Sequence, residues 1–353
     1  MRIKIYPETA LPIGLFFYMT HFALKRGLDI PILGAPEQKI YKGKEPKTLA
    51  IMGTDFNGLK PKMMVSEGDH VERGTPLFCD KDSPEIVFVS PCKGHVKAIN
   101  RGDRRALLSV IISVESLTEK SINYIKLHEK VKSEKDFVRK CILDSGLWTS
   151  FLTRPYSKIP SPDSEPASIF ITAIDTEPLC PRPDLIINED LSAFNVGVER
   201  IASLTKGKVF LCKEEGRDLE VKNYESYDFK GPHPAGLAGT HMHFLDPPST
   251  NKIVWSIGYQ DVLAIGRLFL TGFLDPERTI SICGPLAKSP RIIKTYLGAS
   301  LDDLLDDEIL NEEPCRVISG SVLSGNIAEN ELAFLGRYAR QVTLIREDRE
   351  KIS

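Results

Sequence analysis

The seven cysteines are scattered with no CxxC pair, so neither a zinc ribbon nor an iron–sulfur ligand run can be built from them. Their isolation also argues against a disulfide framework and for reduced, cytosolic thiols. Charge of one sign is lacking too. With 46 basic and 48 acidic residues the formal net charge is −2, and no global basic field draws the chain to nucleic acid. There is no HExxH, no P-loop and no dinucleotide fingerprint. Long apolar runs are scarce. The one candidate, ALPIGLFFYMTHFAL from Ala10 to Leu24, is short for a membrane span and is broken by Pro12 and Gly14. Lys25 and Arg26 follow it where a signal peptide would need a small-residue cleavage site.

What is present has the balance of an ordinary globular protein, and 353 residues suffice for two or three domains, each with its own core. From Thr48 to Val114, short alternating runs are separated by Gly-Asp and Ser-Pro turns, which predicts a small β-barrel or sandwich over residues 25–118. EGDHVERGTPLF followed by Ser90-Pro91 and Gly94-His95-Val96 resembles the barrel-sandwich fold of biotinyl and lipoyl carriers. Lys81 sits at the expected hairpin tip, but outside a Met-Lys-Met setting, so the fold reads as structural, with no covalently bound cofactor. Arg101, Arg104 and Arg105 read as a solvated turn, or else as rim cations facing a partner. Residues 119–135 read as a polar linker. Ser133 and Asp136 then cap a helix through Ser145.

Over residues 136–271 strands alternate with helices, an open Rossmann-like α/β layout. Strands are predicted at Ser168–Ile174, Leu185–Ile187, Lys208–Cys212 and Ile253–Ile257, and helices on the spacings of Leu191, Phe194, Val198, Ile201 and of Val262, Ile265, Phe269. After the first strand come Asp175 and Glu177 among prolines, where a pyrophosphate site would need glycines and N–H donors, so no dinucleotide is expected. Residues 272–353 read as an α+β unit, with strands at Thr279–Cys283, Arg291–Tyr296, Cys315–Ser319 and Gln341–Arg346.

The segment from Gly231 to Pro247, GPHPAGLAGTHMHFLDP, shows neither helix nor strand period and is expected to be an ordered loop. A metal could use His233, His241 and His243 with Asp246 in reach, the alternate spacing of His241 and His243 letting both face one side. Gly236 and Gly239 could supply N–H groups to a phosphate. The favoured reading is structural, with turn glycines and histidines that bond backbone or a partner, and no metal.

HPAGLAGTHMHFLDP closely resembles the NqrA family, one of the subunit families of the sodium-translocating NADH:quinone oxidoreductases. So do GLDIPI, EGDHVERGTPLF, INRGDRRALLSVII, SGLWTSFLTRPYSK, TAIDTEPL, YQDVLAIGRLFLTG and ISGSVLSG, in the same order from about Phe22 to Arg349. The resemblance implies a non-catalytic, peripheral subunit on the cytoplasmic face of the bacterial inner membrane. Its partners would be the other subunits, chiefly a membrane-embedded one, which carry FAD, FMN, iron centres and the NADH site. It implies a β-grasp fold, of the soluble-ligand-binding kind, for residues 272–353, and a fold over the α/β part similar to the flavin- and NADH-binding subunit of respiratory complex I. It implies that residues 1–24 are an extension or a mis-assigned start, and that a further C-terminal domain of the family is missing. It also points to a ubiquinone contact in two stretches. One is Met52, Gly53, Asp55, Phe56 and Gly58; the other is Phe151, Arg154, Pro155, Tyr156 and Lys158. Two other readings stand beside this one: a pure scaffold clamping a membrane partner, and the related electron-transport complex subunit with ferredoxin-type clusters, which the cysteine spacing disfavours.

Overall fold

The computed structural model describes residues 20–310 and 314–347, so the expected extension lies outside the described residues up to residue 19. Two short strands come first, β1 (His21–Ala23) and β2 (Glu37–Lys42). The strands β3 (Thr48–Met52), β4 (Pro61–Met63), β5 (His70–Val71), β6 (Pro76–Asp80), β7 (Val87–Val89), β8 (Lys93–Arg101) and β9 (Leu107–Ser116) then form two small antiparallel sheets, ordered β3-β9-β8-β5 and β4-β6-β7. The expected alternation holds where it matters. Leu49, Leu77, Val110 and Ile112 are fully buried between the sheets, and Phe78 stacks on Phe88 at 4.5 Å. Arg101, Arg104 and Arg105 stay exposed.

The segment expected to be a linker is mostly exposed. It contains α1 (Tyr124–Leu127), capped by the Asn123 side chain, and Tyr124 is buried because its ring fills space between modules. Next comes α2 (Glu134–Asp144), whose Ser133 cap accepts from the Asp136 N–H as the sequence predicts. The α/β module is built from β10 (Leu152–Arg154), β11 (Ser168–Ala173), α3 (Pro183–Asn188), α4 (Leu191–Ala202), β12 (Lys208–Glu214), β13 (Ser226–Lys230), α5 (Ala238–Leu245), β14 (Val254–Gly258) and α6 (Tyr259–Thr271). Its sheet runs β1-β13-β12-β11-β14-β10, parallel except for β10.

Two expectations fail here. Leu185–Ile187 is helical, because Pro183 opens the first turn with its fixed φ and Ile186 and Ile187 are buried. The Gly231–Pro247 segment contains α5, with Ala238, His241, Met242 and Leu245 on the face that packs on the sheet. Helices α4 and α6 touch through glycines. A Cβ on Gly266 would lie 1.7 Å from the Ala193 carbonyl oxygen, and one on Gly197 would lie 2.1 Å from that of Val262.

The last module holds β15 (Glu277–Cys283), β16 (Arg291–Tyr296), α7 (Leu301–Leu305), β17 (Cys315–Ser319), β18 (Asn326–Ile327) and β19 (Gln341–Arg346), in a mixed sheet ordered β18-β17-β19-β15-β16-β2. The N-terminal arm therefore pairs outside the two small sheets of the barrel. β1 extends the α/β sheet, with Phe22 stacked on Phe229 at 4.9 Å, and β2 extends the last sheet beside β16. Their unpaired edges find partners far along the chain, a contact invisible to local patterning.

Candidate functional site at the seam of three modules

The two stretches expected to meet quinone come together. Between Thr153 and Lys158 the chain folds into a tight loop. Its Thr153 N–H donates to the Lys158 carbonyl at 2.8 Å, and its Ser157 N–H to the Thr153 carbonyl at 2.9 Å. Tyr156 and Ser157 hold φ of 86° and 50°, a left-handed strain uncommon outside glycine and asparagine. Asn57 Nδ2 donates to the Tyr156 carbonyl at 2.9 Å, and Gly58 faces the Lys158 side chain. Tyr156 is 69% exposed.

The other residues of these stretches sit deeper. Met52 is buried and Gly53 is pinned under the Leu107 carbonyl. Phe56 packs on Phe88 at 4.6 Å, and Phe151 is fully buried between Trp148 and Trp255 at 5.5 and 5.4 Å. Asp55 accepts from the Arg337 backbone N–H at 2.8 Å, and burial lifts its carboxyl to about 6. Sequence reasoning missed Arg337, which binds the modules together. It is 6% exposed, and its guanidinium reaches Asp261 Oδ1 at 2.9 Å and Ser150 Oγ at 2.8 Å.

A crevice of about 210 Å³ opens beside Arg337, at the carboxyl ends of the paired strands β11 and β14. In open α/β sheets this is the place where ligands sit. Arg154, Arg278, Arg337 and Arg340 line it. The acidic turn after β11 serves the third module. Asp175 pairs with Arg340 at 3.0 Å, and Glu177 accepts from the Ser321 and Ser324 hydroxyls. Burial pushes the Asp175 carboxyl up, and the Arg340 guanidinium opposes it.

The structure separates the histidines. His241 is fully buried on α5, and its Nε2–H donates to the Ala235 carbonyl at 2.9 Å. His243 lies on the exposed side of the same helix, so the shared face inferred from strand spacing does not exist. His233 meets the Thr176 hydroxyl at 3.2 Å, and Asp246 accepts from Ser168 Oγ at 2.7 Å and pairs with Lys252. Gly236 donates its N–H to Thr176 Oγ1 at 2.9 Å and leaves no room for a side chain, whereas Gly239 faces open space. Among the described residues no group of three or more His, Cys, Asp or Glu is arranged to hold a metal ion. A missed signal was available, since counting His241 as apolar gives Ala238, His241, Met242 and Leu245 a helical period.

A barrel sandwich, an open, mainly parallel α/β sheet and a mixed sheet, joined by one arginine beside an arginine-lined crevice, define a protein of three packed modules. Comparison with known proteins sharpens this. Residues 22–115 match the NqrA N-terminal barrel-sandwich hybrid domain, 133–274 the NqrA second alpha/beta domain, and 279–330 the NQRA C-terminal domain. Among relatives, the NqrA protein of the Na(+)-translocating NADH-quinone reductase of Vibrio atlanticus (strain LGP32) is 46% identical over 93% of this chain and 74% of its own length. Its counterpart from Histophilus somni (strain 129Pt) is 47% identical over the same shares. The chain belongs to the NqrA family of Na+-translocating NADH-quinone reductase subunits.

Proposed function

We propose that this chain serves as the NqrA component of a sodium-pumping NADH:quinone reductase, assembling with the other subunits of that complex. The carrying observation is the 45–47% identity that spans all three modules. Among the described residues no helix is long and apolar enough to cross a membrane, which suits a peripheral position. In this reading the chain docks on a membrane-embedded partner at the cytoplasmic face, and partner subunits carry FAD, FMN, the iron centres and the NADH site. Its α/β module, with parallel strands in the order β13-β12-β11-β14, is Rossmann-like, and its last module is β-grasp-like.

Its own contribution is structural and quinone-contacting. The quinone ring meets the exposed part of the seam, formed by Gly58, Tyr156 and Lys158, where an aromatic face and a cation lie within one loop. The strained loop supports this, because strain persists where the surroundings over-determine it. Met52, Gly53, Phe56 and Phe151 then act from behind, as the packed wall that positions the loop.

Two measurements test this reading. Purification of the tagged chain from native membranes in mild detergent should bring down flavin-bearing partners and sodium-stimulated quinone reduction by NADH. A colourless chain alone would overturn the assignment to the complex. Within the assembled complex, Tyr156→Ala with Lys158→Ala should weaken quinone-analogue binding about tenfold, the loss of roughly one stacking or charge contact. Unchanged affinity would favour the pure scaffold reading, to which the burial of Phe56 and Phe151 already lends weight.

A further inference from the structure

Asn57 stands directly before Gly58, and no other asparagine of the chain precedes a glycine. In that dipeptide an asparagine side chain is most open to attack by its own backbone. The attacking nitrogen belongs to a residue with no Cβ to obstruct the approach and with the widest choice of backbone angles. The structure leaves the pair accessible. Asn57 and Gly58 are both exposed, at the corners of a turn closed by the Leu59 N–H on the Phe56 carbonyl at 3.3 Å. Gly58 holds a φ of 77°, as the second corner of a glycine-requiring turn does. Its own N–H donates to no group among the described residues, so water can reach the proton that the attack must shed.

One contact restrains the side chain. Asn57 Nδ2 donates to the Tyr156 carbonyl at 2.9 Å, and this bond must break before the amide can turn toward Gly58. The same bond ties the barrel to the strained loop between Thr153 and Lys158. Among the described residues no other hydrogen bond joins the two.

We propose that Asn57 is a site of self-modification, converted through Gly58 to aspartate or isoaspartate, and that the conversion unties the loop from the barrel. Water or hydroxide takes the Gly58 amide proton. The nitrogen then bonds to Asn57 Cγ, the bond from Cγ to Nδ2 breaks, and Nδ2 leaves as ammonia with a proton from solvent. A water molecule opens the resulting cyclic imide at either carbonyl, giving a carboxylate and a released proton. The net change is amide plus water to acid plus ammonia, and it needs no oxidant or cofactor. The product carboxylate has no N–H to offer the Tyr156 carbonyl, so the left-handed backbone of Tyr156 and Ser157 loses one of the contacts that hold it. The inference goes beyond the quinone reading and does not depend on it.

Ageing of the purified full chain in mildly alkaline buffer tests it, followed by tryptic mass mapping and enzymatic carboxyl methylation of isoaspartate. Conversion should appear in the tryptic peptide Thr48–Lys62 ahead of every other asparagine-bearing peptide. Asn57→Gln should stop it on the same timescale, because closure would then involve a larger ring. The Thr153 and Ser157 N–H groups, bonded within the loop, report its release. Their hydrogen exchange should quicken about fivefold in the aged chain, and equally in Asn57→Asp without ageing, for the loss of one net hydrogen bond. A folded chain that leaves Asn57 intact while the urea-unfolded chain converts it would overturn the site. Unchanged exchange in both the aged chain and Asn57→Asp would overturn the release of the loop.

Discussion

Asp261 and Arg337 join the first turn of α6 to the loop before β19 at 2.9 Å, and the same carboxylate oxygen takes Arg278 from β15. Arg337 meanwhile donates its backbone N–H to Asp55 of the barrel, so one residue fastens all three modules. With Arg278 and Arg337 5% and 6% exposed, removing the carboxylate strands two buried cations. Asp261→Asn should therefore cost about 3–5 kcal/mol in urea unfolding. A cost below about 1 kcal/mol would mean the guanidinium groups are neutralised elsewhere.

The Asp55 carboxyl gives a pH signature. Burial raises it from the usual carboxylate range to about 6, against the opposing Arg337 N–H and charge. The folded state keeps a proton that the unfolded chain releases, so stability is full below about pH 4 and declines as pH rises through about 6. Asp55→Asn retains an acceptor for the Arg337 N–H. It should flatten that slope and add about 1–2 kcal/mol near pH 8. Stability profiles of the two proteins that run parallel between about pH 4 and 7 would refute the shift.

His241 acts with the opposite sign. Burial pushes its imidazole down to about 4, and Nδ1 has no partner among the described residues. The neutral ring stabilises the fold above about pH 6.5, and that stability is lost as pH falls toward about 4. His241→Gln should lose about 1–2 kcal/mol near pH 7.5 while reducing the acid-side loss. A variant as acid-sensitive as the parent would place the titration on another group.

Much of the architecture is legible locally. The Ser133 cap and the full spans of β16, β17 and β19 follow from period, caps and turn residues. The motifs shared with the NqrA family are likewise properties of the sequence alone. The helix α5 was hidden because a buried histidine reads as polar in a pattern, although its ring can be desolvated once neutral.

Local sequence carries the strands, caps and motifs named above, and with them the family. Each rests on short-range periodicity and turn chemistry, which neighbouring residues settle among themselves. Only the tertiary structure decided where the N-terminal arm goes, that Asp175 and Glu177 grip the third module, and that Arg337 meets Asp55 and Asp261. The same holds for the gathering of four arginines along the crevice. An unpaired strand edge, a buried carboxylate or a guanidinium is satisfied by whichever partner lies close in space, and sequence separation does not limit that choice.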